Sequence, residues 1–153
     1  DYANTPVRVT SVVHDFSIVS PSEKVADKLK ITSGDFVYQI CRTRLADGVP
    51  KVIEYTYMPI DVIPGLKKED VEASIYHHIE KELGLTVYSA HRTVRAVMPT
   101  VLEKERLSLE DHIPLLEVEQ VAFLKDGRIF EYSTTRHAGN TYEFYSISVR
   151  ENA

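Results

Sequence analysis

One stretch decides the fold: Phe36-Val37-Tyr38-Gln39-Ile40-Cys41-Arg42-Thr43-Arg44-Leu45-Ala46-Asp47-Gly48-Val49-Pro50-Lys51-Val52-Ile53-Glu54-Tyr55-Thr56-Tyr57-Met58. Phe36 to Leu45 is rich in aromatic and β-branched residues and reads as a strand. Asp47-Gly48 is a strong hairpin signal, and Val52 to Met58 is the return strand. Strand side chains alternate, so Phe36, Tyr38, Ile40, Arg42 and Arg44 share one face. The apolar end of that face belongs to a core. The arginine end must lie at its rim, because buried guanidinium groups need partners. Two planar forks side by side suit a phosphate or a carboxylate. An ion-pair ladder with glutamates on a neighbouring strand would use the same residues.

Hairpin register decides whether Glu54 joins that face. A two-residue loop pairs Ala46 with Val49 and Cys41 with Glu54, which sends Glu54 to the opposite side. A three-residue loop, Asp47 to Val49, pairs Ala46 with Pro50 and Arg42 with Glu54. Pro50 cannot donate to the ladder, which weakens tight pairing there. The odd loop is therefore the expectation.

Working outward, Val7 to Ser20 reads as a strand. Ser20 is the expected cap of a following helix, with Pro21 at its first position and Val25, Ala26 and Leu29 as its apolar face. Ser74 to Leu83 is a second helix, with Ile75, Ile79 and Leu83 at four-residue spacing and Gly84 as its stop. Ser74 serves as its N-cap, and the same helix start offers a seat for an anion. Leu85 to Met98 is a long strand. Thr100 to Glu103 is a capping box opening a helix to about Leu109. Leu115–Leu124, Asp126-Gly127 and Ile129–Arg136 form a second hairpin, and Tyr142–Val149 is expected as a last strand.

Two stretches follow one plan of strand, proline, capped helix and hairpin. Pro21 and Pro99 lie 78 residues apart, Gly48 and Gly127 lie 79 apart, and Glu54 and Glu131 lie 77 apart. The expectation is an internal strand–helix–hairpin duplication within one α+β sheet. The helices would cover one face, and Glu54 and Glu131 would take equivalent places.

The chain has 153 residues, which suits a single domain, and 43 % hydrophobic residues, enough for a core. Its 18 basic and 23 acidic residues leave a net charge of −5, which excludes a free-standing nucleic-acid binder with a basic face. Cys41 is the single cysteine and cannot form an internal disulfide, so a reducing compartment is expected. No apolar run is long enough to span a membrane as a helix. None of the histidines has zinc-site spacing, so no metal is expected, and His77 and His78 read as surface residues. No nucleophile elbow, phosphate-binding P-loop or dinucleotide glycine pattern occurs. The missing initiator methionine suggests a piece of a longer protein.

Several motifs in order carry a resemblance. They are Arg42-Thr43-Arg44-Leu45-Ala46-Asp47-Gly48-Val49-Pro50, then Glu54, then Tyr57-Met58-Pro59, then Ala73-Ser74-Ile75-Tyr76. Asp126-Gly127-Arg128-Ile129-Phe130-Glu131-Tyr132-Ser133 and Tyr142-Glu143-Phe144 close the series. From about Val7 to Val149 the chain resembles the effector-binding UTRA domain of GntR/HutC-type bacterial transcription regulators. The resemblance implies a chorismate-lyase-like antiparallel sheet flanked by helices. It implies a cytoplasmic, dimeric sensor of a small anionic effector, commonly a sugar phosphate or phosphorylated amino sugar. DNA would be met only through a winged helix-turn-helix domain upstream.

It further implies that Arg42, Arg44 and Ser74 hold the anionic group, and that Glu54 and Glu131, with Tyr76 nearby, hold hydroxyl or amino groups. A Tyr-Arg-Gly-Asp string of several relatives reads His137-Ala138-Gly139-Asn140 here, which makes His137 a candidate ligand contact. No cofactor is implied. The competing reading is a chorismate-lyase-like enzyme acting on a small carboxylate; the motifs match the regulator side.

Overall fold

The structure is a computed structural model describing residues 6–150. Its elements are β1 (Val9–Val19), α1 (Glu23–Leu29), β2 (Val37–Ala46), β3 (Val49–Pro59), α2 (Lys68–Glu72) and α3 (Ile75–His77). They continue with a π-helical turn (His78–Glu82), β4 (Val87–Val97), α4 (Val101–Arg106), β5 (Leu115–Leu124) and β6 (Ile129–Ala138). The strands form one antiparallel sheet in the order β1-β2-β3-β6-β5-β4. Each half supplies three strands with a helix between its first and second. The return strands β3 and β6 meet at the centre, where Thr56 pairs with Ser133. No helix among the described residues is long and apolar enough to cross a membrane.

Helices lie on both faces of the sheet, not on one. Val25 and Leu29 of α1 pack with Val37 and Tyr132, while Leu107, just past α4, packs with Ile53 and Leu115 on that same face. The opposite face carries the larger core. There Tyr38, Ile40 and Met58 of the sheet meet Ile63, Leu66, Val71, Ile75 and Ile79. Those last five all come from the connection between the two halves. A connection with that many apolar residues must bury them, and only the second sheet face is vacant.

The β2–β3 hairpin corrects the expected loop and keeps its consequence. The turn has two residues, and both Asp47 (φ 49°) and Gly48 (φ 79°) take the left-handed conformations of a tight hairpin. Ala46 pairs with Val49. A bulge then intervenes: Leu45 opposes Pro50, Arg44 opposes Val52, and Lys51 is the extra residue. That single insertion brings Arg42 opposite Glu54. Pro50, with no N–H to donate, sits where the ladder breaks.

Other expectations need correction. Ser22, not Ser20, caps α1, accepting from the Val25 N–H at 3.2 Å, while Ser20 donates to the Ser33 carbonyl at 2.7 Å. The single helix expected from Ser74 is a short α segment continued by a π turn. Helix α2, held by Asp70 accepting from the Lys67 N–H at 2.9 Å, had no counterpart in the sequence reading. Tyr142–Val149 is not a strand. β6 is paired on both sides, so the chain leaving it at Gly139 finds no open edge beside it. Tyr145, Ile147 and Val149 remain exposed.

Beneath α4 lies a buried charge network. Glu103 is 1 % exposed and accepts from Tyr55 (2.7 Å), from Arg136 (2.9 and 3.1 Å) and, closing its capping box, from the Thr100 N–H (2.9 Å). Burial alone would raise the Glu103 carboxyl, but these donors outweigh it and hold it below its usual range. Its stabilising contribution is therefore full above the ordinary glutamate value and is lost as the pH falls below it. Arg136→Met strands that carboxylate and is expected to cost about 3–5 kcal/mol of unfolding free energy at pH 7. Urea melts should show the gap from wild type narrowing below about pH 4 as Glu103 protonates in both proteins.

Candidate functional site

Where the centre of the sheet meets α3, a cavity of about 340 Å³ opens. Arg42, Arg44, Glu54, Ser74, Tyr76 and Glu131 all border it. Alternation along β2, the bulge-set register of β3 and the central β3–β6 pairing deliver the strand residues. The break before α3 delivers Ser74 and Tyr76.

The two arginines are not equivalent. Arg42 is 6 % exposed and already engaged. It donates to Glu54 Oε2 at 2.5 Å and to the Val71 carbonyl at 2.9 Å. Arg44 is two residues further along the same face, and its guanidinium has no hydrogen-bond acceptor or ion-pair partner among the described residues. Its Nε is buried and unpaired, as is that of Arg42, so the difference between the two lies in their terminal nitrogens. Burial lowers the Arg44 pKa, the Arg42 charge lowers it further, and Glu54 partly offsets both. A guanidinium stays protonated even so. The cavity thus contains a guanidinium with no hydrogen-bonded or ion-paired partner among the described residues, with Glu54 its nearest acting counter-charge.

Ser74 caps α3, its Oγ accepting from the His77 N–H at 3.2 Å. That bond uses an oxygen lone pair, so the hydroxyl hydrogen stays free to donate into the cavity. Capping and ligand contact are therefore compatible.

The carboxylate side has the opposite polarity. Glu131 is 6 % exposed. Its Oε2 accepts from Gln120 Nε2 at 2.7 Å, Ser133 Oγ at 3.3 Å and Tyr76 OH at 3.5 Å. Its Oε1 has no donor among the described residues. Burial raises the Glu131 pKa, Gln120 and Ser133 oppose that, and the nearby Glu54 charge adds to it. Tyr76 stands edge-on to Phe130, ring centroids 6.0 Å apart, and burial followed by the Glu131 charge pushes its phenol well above the usual range.

His137 does not border the cavity. It lies one alternate step past Thr135 on β6, stacked on Tyr142 with centroids 3.8 Å apart and its Nε2 3.2 Å from Thr135 Oγ1. Burial lowers its pKa, opposed by Glu54. Thr56, Gln120, Ser133 and Thr135 border the cavity and were missed. Counting by twos from Glu54 and Glu131 would have found Thr56, Ser133 and Thr135. Gln120 is placed by its pairing with Ser133 across β5–β6, which has no local signal.

His78 is also corrected, since it is 3 % exposed and no surface residue. Its Nδ1 faces Glu82 at 2.6 Å and Asp70 at 3.6 Å, and its Nε2 faces the Pro64 carbonyl at 2.9 Å. Burial alone would lower its pKa, but these acceptors raise it. It ties Pro64, Asp70 and Glu82 of the connection together.

The sequence matches the UTRA domain over residues 6–143. The chain belongs to the UTRA family. It is 37 % identical over 143 residues to the HTH-type transcriptional regulator GmuR of Bacillus subtilis, covering 94 % of this chain and 60 % of that protein. It is 31 % identical over 140 residues to TreR of the same organism, covering 92 % and 59 %. The UTRA chain thus spans about 60 % of the length of these relatives. A GntR-family regulator from Bacillus cereus superposes with a TM-score of 0.81 at 42 % identity, covering 92 % of this chain and 99 % of that one. The effector-binding domain of the B. subtilis trehalose repressor does so with 0.81 at 30 % identity, covering 94 % and 99 %. The antiparallel sheet with few helices is the chorismate-lyase-like architecture of these UTRA neighbours. This UTRA chain is a regulatory, effector-binding domain of the GntR-family type, not an enzyme.

Glu131→Gln removes a carboxylate that folding must desolvate. A carboxyl raised by folding costs stability as the pH rises through its folded value and costs nothing below the ordinary glutamate value. The ligand-free variant should therefore melt above wild type at pH 8, with the difference vanishing near pH 4. Thermal unfolding at the two pH values checks this.

Proposed function

We propose that the cavity binds a small metabolite with an anionic group at one end and hydroxyl or amino donors at the other, a sugar phosphate or phosphorylated amino sugar. The observation that carries this reading is Arg44, a half-buried guanidinium facing the cavity without a partner among the described residues. A buried charge left unpaired costs stability, and an incoming anion removes that cost. Arg42 lies beside it and the Ser74 hydroxyl is free to donate. Glu54, paired to Arg42 through one oxygen, and Glu131 further along the cavity each keep an acceptor suited to hydroxyl or ammonium groups. The volume lies at the small end of ligand cavities, which supports a compact metabolite.

Two names among the relatives point the same way. One is the B. subtilis trehalose repressor, the other the Escherichia coli repressor of a mannosyl-D-glycerate transport and metabolism system. Carbohydrate-derived effectors fit a cavity lined by hydroxyls and carboxylates. In the whole regulator, a winged helix-turn-helix domain upstream would bind DNA in the cytoplasm as part of a homodimer. Ligand would favour one arrangement of the domains over another. The shift in DNA affinity is bounded by the ligand's differential affinity for the two arrangements.

Thermal unfolding with a panel of sugar phosphates, each beside its unphosphorylated parent, tests the reading. A ligand at about 100 times its Kd stabilises the folded state by about 2.7 kcal/mol. Phosphorylated members should raise the melting temperature, and their parents should not. Arg44→Ala should weaken binding by about 1.5–3 kcal/mol with little loss of stability. Arg42→Ala should lose both, because Glu54 is left uncompensated. Unchanged affinity in Arg44→Ala would overturn the assignment.

A further inference from the structure

Glu131 does not set its own hydrogen-bonding role. Gln120 Nε2 donates to Glu131 Oε2 at 2.7 Å, and on the other side of the amide Arg92 Nε donates to Gln120 Oε1 at 2.7 Å. An amide group offers an acceptor at one end and donors at the other, and its orientation is decided by its neighbours. A guanidinium has donors only. Arg92 therefore accepts one orientation of Gln120, with Oε1 toward β4 and the NH₂ toward Glu131. The reverse orientation would set NH₂ against guanidinium and oxygen against carboxylate.

With the amide held this way, Glu131 Oε2 is filled by Gln120, Ser133 and Tyr76. Oε1 is left as an acceptor. The charged and titratable groups facing Glu131 are Glu54 on β3, Tyr76 on α3 and, through Gln120, Arg92 on β4. Burial, and after it the Glu54 charge, disfavours the charged carboxylate, and the Gln120 donor is the largest influence opposing them.

We propose that Arg92 is a positioning residue: by fixing the Gln120 amide it keeps a donor on Glu131 Oε2 and leaves Oε1 open as an acceptor, and this makes the end of the cavity remote from Arg44 select hydroxyl or ammonium groups and reject a second anion. The proposal rests on the reading of the cavity as a receptor for a singly anionic metabolite. It adds a residue on an outer strand that does not border the cavity and fixes what the ligand's far end must be.

Arg92→Met and Arg92→Lys test it in the full chain, with two readouts. The first needs no ligand: the side-chain carboxyl of ¹³C-labelled Glu131 is titrated by NMR. In Arg92→Met the amide is free to turn its oxygen to Glu131, and proton affinity should rise about tenfold. Arg92→Lys, which still offers a donor, should return it toward wild type. The second readout compares glucose 6-phosphate with 6-phosphogluconate, which carry the same phosphate but a neutral or anionic far end. Wild type should prefer the former, and Arg92→Met should shrink the preference by about tenfold. The proposal is overturned if Arg92→Met keeps the wild-type titration and preference, or if Arg92→Lys restores neither. If Arg44→Ala binds glucose 6-phosphate as wild type does, the anion reading falls while the Glu131 titration still decides the role of Arg92.

Discussion

Arg42 ties three separate parts of the chain together. It leaves β2 on the sheet face covered by the inter-half connection, meets Glu54 from β3 and donates to the Val71 carbonyl near the end of α2. A guanidinium that is 6 % exposed cannot be left without acceptors, so strand register and the seating of the inter-half connection are coupled through one side chain. If the β2–β3 register slipped by one, Glu54 would turn to the other face. The carbonyl of α2 would then be its remaining acceptor. The cavity exists because that arrangement holds α3 over the sheet centre.

The charges of the cavity divide into committed and open groups. The terminal nitrogens of Arg42 are taken by one oxygen of Glu54 and by the Val71 carbonyl. Arg44 and Glu131 Oε1 have no partner among the described residues, and they belong to opposite sides of the cavity. The same strands carry a second set of charges on their reverse face, where Arg136 sits between Glu103 and Glu117. That set is closed on itself and braces α4. Two arginine-rich networks on one sheet thus do different things, and the difference lies in whether each charge finds its partner within the chain.

Much of the site could be read from the sequence, because β-strand alternation is a local rule. Arg42 and Arg44 two apart, and Glu54 and Glu131 in matching hairpins, needed no tertiary knowledge to be singled out. The hairpin at Asp47-Gly48 shows the limit of such reading. Its turn type was misjudged, yet Arg42 still faces Glu54, because a bulge at Lys51 supplies the odd residue that the loop does not. His78 shows the opposite failure. Its place beside His77 suggested the surface, but burial was decided by Pro64, Asp70 and Glu82 closing around it.

The sequence by itself determined the six strands of the sheet, the places of both hairpins, the Ser74 and Thr100 caps and the residue types that can hold an anion, because propensity, alternation and turn chemistry act within a few residues of one another. Tertiary structure alone decided that the helical connection covers the second face, that Arg44 stays open while Arg42 is engaged, that His137 falls outside the cavity and that Gln120 enters it. Those outcomes depend on contacts between strands and loops far apart in the chain, where the available partner for each buried polar group is set by packing and not by its neighbours in sequence.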